Sequence, residues 1–131
     1  MGKYGKVAEV AINEMRSNPV ITPEDAWKKA ASSVFPESES SQNKGCPRGA
    51  FLGLCESGLI KGIPSGEHTR SESNKLYALK AVSILKENPE LVSDEKALWS
   101  VVMDGEDKTY NYQMDVVISL WRFGLIDADR L

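Results

Sequence analysis

Apolar residues recur along this chain at intervals of three and four, the spacing that collects side chains on one face of an α-helix. Val7, Ala8, Ala11, Ile12 and Met15 share such a face, and Asn18-Pro19 stops it, which predicts a first helix over 3–17. The second begins with Thr22 as N-cap, Pro23 at the first helical position and Asp25 in the first turn, and runs to about residue 34. "PESESSQNKG" is almost devoid of apolar residues and reads as an exposed loop. A third helix follows with Pro47 near its start. Its apolar surface is Phe51, Leu52, Leu54 and Cys55, and Gly58 ends it in a left-handed cap that folds Leu59 back on Leu54. Gly49 and Gly53, four apart, allow close helix packing.

The second part of the chain repeats the theme. Ala78, Ala81, Val82 and Leu85 form a long helix that stops at Asn88-Pro89. Ser93 is the expected N-cap of the next, which ends at Gly105, and Met114, Val117, Ile118 and Trp121 mark a last helix before Gly124. A shift of 70 positions lays Ala8, Ala11, Ile12, Asn18 and Pro19 on Ala78, Ala81, Val82, Asn88 and Pro89. With one or two more, Thr22 meets Ser93 and Trp27 meets Trp99; with 66, "FLGLCESGLI" lies on "VISLWRFGLI". The expectation is an all-α protein of about six helices, built as two tandem three-helix repeats, 3–63 and 74–130, in one domain over 1–131. A unit of this size buries little surface alone, so the two halves should share one core.

Composition narrows the class without naming a function. The chain has 131 residues, is 41% hydrophobic and 27% charged, and fits an ordinary soluble domain. Glu9 and Glu14 interrupt any apolar run at the N-terminus and nothing approaches a membrane-spanning length, so the expected location is the cytoplasm, away from the membrane. Two cysteines, Cys46 and Cys55, are too few for a disulfide scaffold. Charge is uneven: residues 40–80 carry six basic and three acidic side chains, residues 81–131 five and ten. Such a balance suits a local anion-binding surface and argues against a protein that coats nucleic acid.

Candidate chemistry is sparse. Cys46, at a helix N-terminus two residues from Arg48, is the most tempting nucleophile, but the single histidine of the chain is distant in sequence. Asp104, Glu106 and Asp107 lack the glycine and glutamate of a calcium loop, and no set of ligands at metal spacing or phosphate-binding glycine motif is present, so neither metal nor cofactor is expected. The remaining candidates are Lys44, Arg48, Lys61, His68, Arg70 and Lys75. If the loops around the third helix converge, these make a positive patch beside an exposed helix N-terminus, suited to phosphate or an acidic protein segment; scattered, they only solubilise the surface.

A rival architecture comes from "GLIKGIPSG" and "RSESNKLYAL". Through Gly58-Leu59-Ile60, Arg70 and the run Lys75 to Leu79, residues 22–80 resemble a winged-helix domain, a recognition helix followed by a β-hairpin at 59–79. That resemblance implies DNA binding, with residues 47–57 as recognition helix. Against it, Leu76 to Leu79 continue unbroken into "KAVSILKE", and the repeat makes this segment helical. The leading expectation is a non-catalytic module that binds another protein or an acidic partner. A DNA-binding regulator and a small-molecule enzyme using Cys46 are the alternatives.

Overall fold

The computed structural model describes residues 2–69 and 71–131. Among the described residues seven α-helices follow one another: α1 (Gly2–Ser17), α2 (Pro23–Val34), α3 (Glu39–Gln42), α4 (Gly45–Glu56), α5 (Glu72–Glu87), α6 (Glu95–Met103) and α7 (Gln113–Arg122). Short 3₁₀ turns occupy Pro89–Ser93 and Ala128–Arg130. The protein is all-α, as the apolar spacing predicts.

Helix boundaries follow local chemistry, with two departures. Thr22 Oγ1 accepts the Asp25 amide at 3.1 Å, supplying one of the partners that a helix start otherwise lacks. The N-cap of α6 is Asp94 rather than Ser93: Pro89 opens a 3₁₀ turn that extends through Ser93, and Asp94 Oδ1 then accepts the Ala97 amide at 3.0 Å. The polar linker after α2 is not a bare loop. Ser38 Oγ caps the single turn of α3, and the Gln42 amide group donates to the Phe35 carbonyl at 2.6 Å. A turn held by polar side chains leaves no apolar period to read.

No hairpin forms at 59–79 among the described residues. α4 instead closes on Gly58, whose φ of +76° is a left-handed conformation that favours glycine, and the Leu59 amide reaches back to the Leu54 carbonyl at 3.2 Å. α7 closes in the same way on Gly124, φ +68°, with Leu125 bonded to Leu120 at 3.0 Å. The chain after each cap then pairs with the other. Ile60 bridges antiparallel to Ile126, Lys61 donates to the Leu125 carbonyl and Asp127 to the Leu59 carbonyl, both at 2.8 Å. The edge that would start a wing is therefore already occupied by the C-terminal segment.

The helices enclose one core, in which Ile12, Trp27, Phe51, Leu54, Leu85, Leu98, Met114 and Ile118 are all buried. α1 packs on α2 and α7, α5 packs on α6 and α4, and α4 and α7 pack on each other. Exchanging α1 with α5, α2 with α6 and α4 with α7 carries these five contacts onto one another, but α5 also packs on α7, and α1 and α4 make no contact of similar extent. Close approach at the two outer crossings depends on glycine. A Cβ on Gly53 would lie 2.7 Å from the Lys75 Cα where α4 crosses α5, and one on Gly5 would lie 2.8 Å from the Ser119 Cβ where α1 crosses α7. Gly49 meets Asn74 in the same way, so the Gly49 and Gly53 pair serves helix packing.

Candidate ligand-binding cleft

The linker between α2 and α4 carries no large side chain that fills the space beside it, and a cleft of about 970 Å³ opens there. α2 contributes Glu24, Asp25, Trp27 and Lys28, and the α3–α4 junction Gln42 and Asn43. α4 supplies Cys46, Arg48, Gly49 and Leu52; the segment before α5 adds His68, Thr69 and Ser71, and the first turn of α5 adds Asn74. Residues 63–69 have no regular structure and are pinned by Glu56, whose Oε1 accepts the amides of His68 at 2.9 Å and Thr69 at 3.4 Å while Oε2 binds Lys75 Nζ at 2.6 Å. The Lys75 bond, helped by the His68 amide, holds the Glu56 carboxyl below its ordinary range, and the same bond raises Lys75.

The electrostatics of the cleft come from which charges are already matched. His68 Nδ1 lies 3.0 Å from Glu24 Oε1, an ion pair when the ring is protonated, although the ring N–H does not point along a hydrogen bond. Asp25 sits in the first turn of α2, where the exposed amides favour a negative charge. Arg48 and Lys28 have no ion-pair partner among the described residues. The start of α4 is similarly open: Lys44 provides no side-chain cap, the first turn contains no acid, and Pro47 has no N–H, which leaves the Gly45 and Cys46 amides free to face an anion.

Trp27 forms part of the cleft lining. It is 1% exposed and packs on Phe51 with ring centroids 5.1 Å apart, yet its indole Nε1 has no acceptor. Beyond His68 lies a second, apolar groove of about 390 Å³ formed by Met15, Pro19, Ile21, Ile63 and Pro64, and His68 borders both spaces.

Of the six residues singled out in the sequence, the fold brings Arg48 and His68 to this cleft. Lys75 stands behind it in the Glu56 pair. Lys44 Nζ lies 5.6 Å over the Tyr112 ring instead, and Lys61 belongs to the paired segment, its carbonyl accepting from Arg16 at 3.1 Å. Arg70 lies outside the described residues. Sequence reasoning placed Trp27 only as the counterpart of Trp99 in the repeat, and it missed the polar group Thr69, Ser71 and Asn74. The "SxxN" cap at Ser71, whose Oγ accepts from Asn74, was the available signal.

Cys46 is half-exposed on the cleft, but no hydrogen bond joins its thiol to His68, whose Nδ1 faces Glu24 and whose Nε2 lies against Gly66. Burial pushes the other thiol, Cys55, far up, out of reach of ordinary thiolate chemistry. Among the described residues no group of three or more His, Cys, Asp or Glu side chains is placed to hold a metal, and no helix is long and apolar enough to cross a membrane.

Residues 1–127 match the model of DUF6979, a family of unknown function. The chain belongs to this family. No curated protein and no solved structure matches it. Membership in DUF6979 accounts for nearly the whole length of the chain but brings no chemistry with it, so the cleft has to be interpreted from its own residues.

Proposed function

We propose that the chain is a non-catalytic cytoplasmic binding module that receives an extended acidic segment of a partner protein. The acidic group sits in the cleft against Arg48, Lys28 and the open end of α4, and a neighbouring apolar side chain enters the groove beyond His68. One observation carries this reading: Arg48, Lys28 and the amides that open α4 have no partners among the described residues, whereas Glu24 and Asp25 lie in the first turn of α2, where exposed amides offset part of their charge, and Glu24 faces His68. A DNA-binding role has less support, because the expected wing is absent among the described residues and Lys75 is committed to Glu56.

We also propose that the two halves descend from a duplicated three-helix unit. Support comes from the matching Gly-Leu-Ile caps, their antiparallel pairing and the five reciprocal helix contacts.

Selection from a random decapeptide library tests the binding role. Wild-type protein is expected to enrich sequences that set an acidic residue beside an apolar one. Arg48→Glu, at an exposed position that burdens no core contact, should abolish that enrichment. Selection of basic or uncharged peptides, or enrichment unaffected by Arg48→Glu, would contradict the proposal.

A further inference from the structure

We infer that the Trp27 indole N–H is a recognition donor for a carboxylate, and that the group read at the floor of the cleft is therefore a carboxylate oxygen; this rests on the binding role proposed above. A buried N–H without an acceptor is rare in a folded protein and usually marks a missing water, ion or ligand. Trp27 Nε1 is such a group, in a side chain almost wholly buried and bordering a cleft.

The second half of the molecule supplies the contrast. Trp99, on α6, donates its indole N–H to the Lys108 carbonyl at 3.3 Å, provided by the linker that leads into α7. The linker after α2 turns into α3 and brings no carbonyl to Trp27. Trp27 also lines the cleft, so an oxygen of a molecule bound there is the candidate partner. The free Gly45 and Cys46 amides at the start of α4, a helix of 12 residues, border the same space, together with Arg48.

Charge selects the class of oxygen. A phosphate monoester carries close to two negative charges near neutrality and would meet Glu24 and Asp25 on the same walls. A carboxylate carries one, and a planar pair of oxygens serves both an indole N–H and a guanidinium. The carboxylate comes either from an Asp or Glu side chain or from a chain end.

The test is the indole region of a proton–nitrogen spectrum, recorded while the intact protein is titrated with four probes. These are sodium acetate, alanyl-aspartyl-leucyl-alanine blocked at both ends, its asparaginyl analogue, and N-acetyl-alanyl-leucine with a free carboxylate. Of the three tryptophan signals, that of Trp27 alone is expected to move downfield and saturate with acetate and with at least one carboxylate peptide. The asparaginyl analogue should bind about tenfold more weakly, the scale of one hydrogen bond to a charged group. Response to the aspartyl peptide assigns the side chain as source, and response to the free terminus assigns the chain end; either supports the inference. Movement of the Gly45 and Cys46 amides without Trp27 would overturn the inference and leave the binding role standing. Silence at all three would overturn both. An asparaginyl peptide that binds equally well would overturn the carboxylate assignment. Trp27→Phe keeps the stack on Phe51 and removes the donor, so it should weaken binding about tenfold; unchanged affinity would also overturn the inference, and the wild-type titration decides the matter if that variant does not fold.

Discussion

Trp27 on α2 and Trp99 on α6 are both nearly buried, at 1% and 7% exposure, but their polar edges meet different surroundings. Around Trp99 the chain closes on itself. Tyr77 and Tyr110 pack on the ring at 5.3 and 5.4 Å, and the Lys108 carbonyl takes the indole proton. Tyr110 in turn bonds Asp115, and Tyr112 extends the aromatic layer to Tyr4. Beside Trp27, Gln42 and Asn43 from the linker line the cleft, Phe51 packs on the indole, and the indole N–H has no acceptor. The two linkers thus give the two indoles different surroundings: aromatic residues and a carbonyl enclose that of Trp99, and a cleft lies beside that of Trp27.

Substitutions at the helix crossings test how alike the two halves are, and should give the largest effects. Gly53→Ala places a Cβ 2.7 Å from the Lys75 backbone, which cannot yield without moving α5, and is expected to cost about 3 kcal/mol in urea denaturation. Gly5→Ala meets first the Ser119 side chain, at 2.8 Å, which has more freedom to give, so about 1–2 kcal/mol is expected. Equal costs would mean that both crossings are equally rigid.

The sealed side breaks next. Tyr110→Phe removes the hydroxyl that supports Asp115 and should cost about 1–2 kcal/mol. Burial already raises Asp115 above its ordinary value of 3.8, opposed by the Tyr110 bond. A carboxyl raised in the folded state binds more protons there than in the unfolded chain, so stability falls as pH rises through that interval. Loss of the hydroxyl raises it further, and the Tyr110→Phe penalty should be larger at pH 7 than at pH 4, measured by thermal melts at both.

On the open side, Glu56→Gln should cost about 1 kcal/mol by weakening the Lys75 bond and loosening the segment at 66–69. The sign with pH is opposite to that of Asp115. Glu56 is depressed in the folded state, so its contribution is complete above its ordinary value of 4.5 and disappears as pH falls through the lower folded value. Wild type and variant should converge in acid denaturation experiments.

The smallest effects compare the caps. Thr22→Ala and Asp94→Ala should each cost about 1 kcal/mol, and Ser93→Ala less than about 0.5, read from shifts in melting temperature. A larger cost at Ser93 than at Asp94 would contradict the cap assignment for α6.

Most of the architecture was legible because it depends on apolar spacing and strong punctuation. Met15 and Leu85 mark helix faces, Pro19 and Pro89 stop them, and Gly58 and Gly124 close α4 and α7. What the sequence could not disclose rests on local polar geometry or on distant pairing. The turn at Glu39–Gln42 is made by Ser38 and Gln42 side chains, and the join of Ile60 to Ile126 links residues far apart in the chain. The site was only partly readable for the same reason. Arg48 and His68 line one cleft because Glu56 ties down the segment before α5, whereas Lys44 is drawn away to Tyr112. Trp27 carried no sign of its unmatched N–H, since a buried tryptophan with an acceptor and one without look the same in sequence.

The most direct test is a map of backbone amide shifts as the blocked aspartyl-leucyl tetrapeptide is added to the uniformly labelled protein. Saturable changes are expected at Gly45, Cys46, Gly49, Thr69 and Asn74, with the segment from Lys108 to Tyr112 unaffected. Changes confined to that aromatic segment, with the residues between α2, α4 and α5 silent, would contradict the assignment of recognition to the open half.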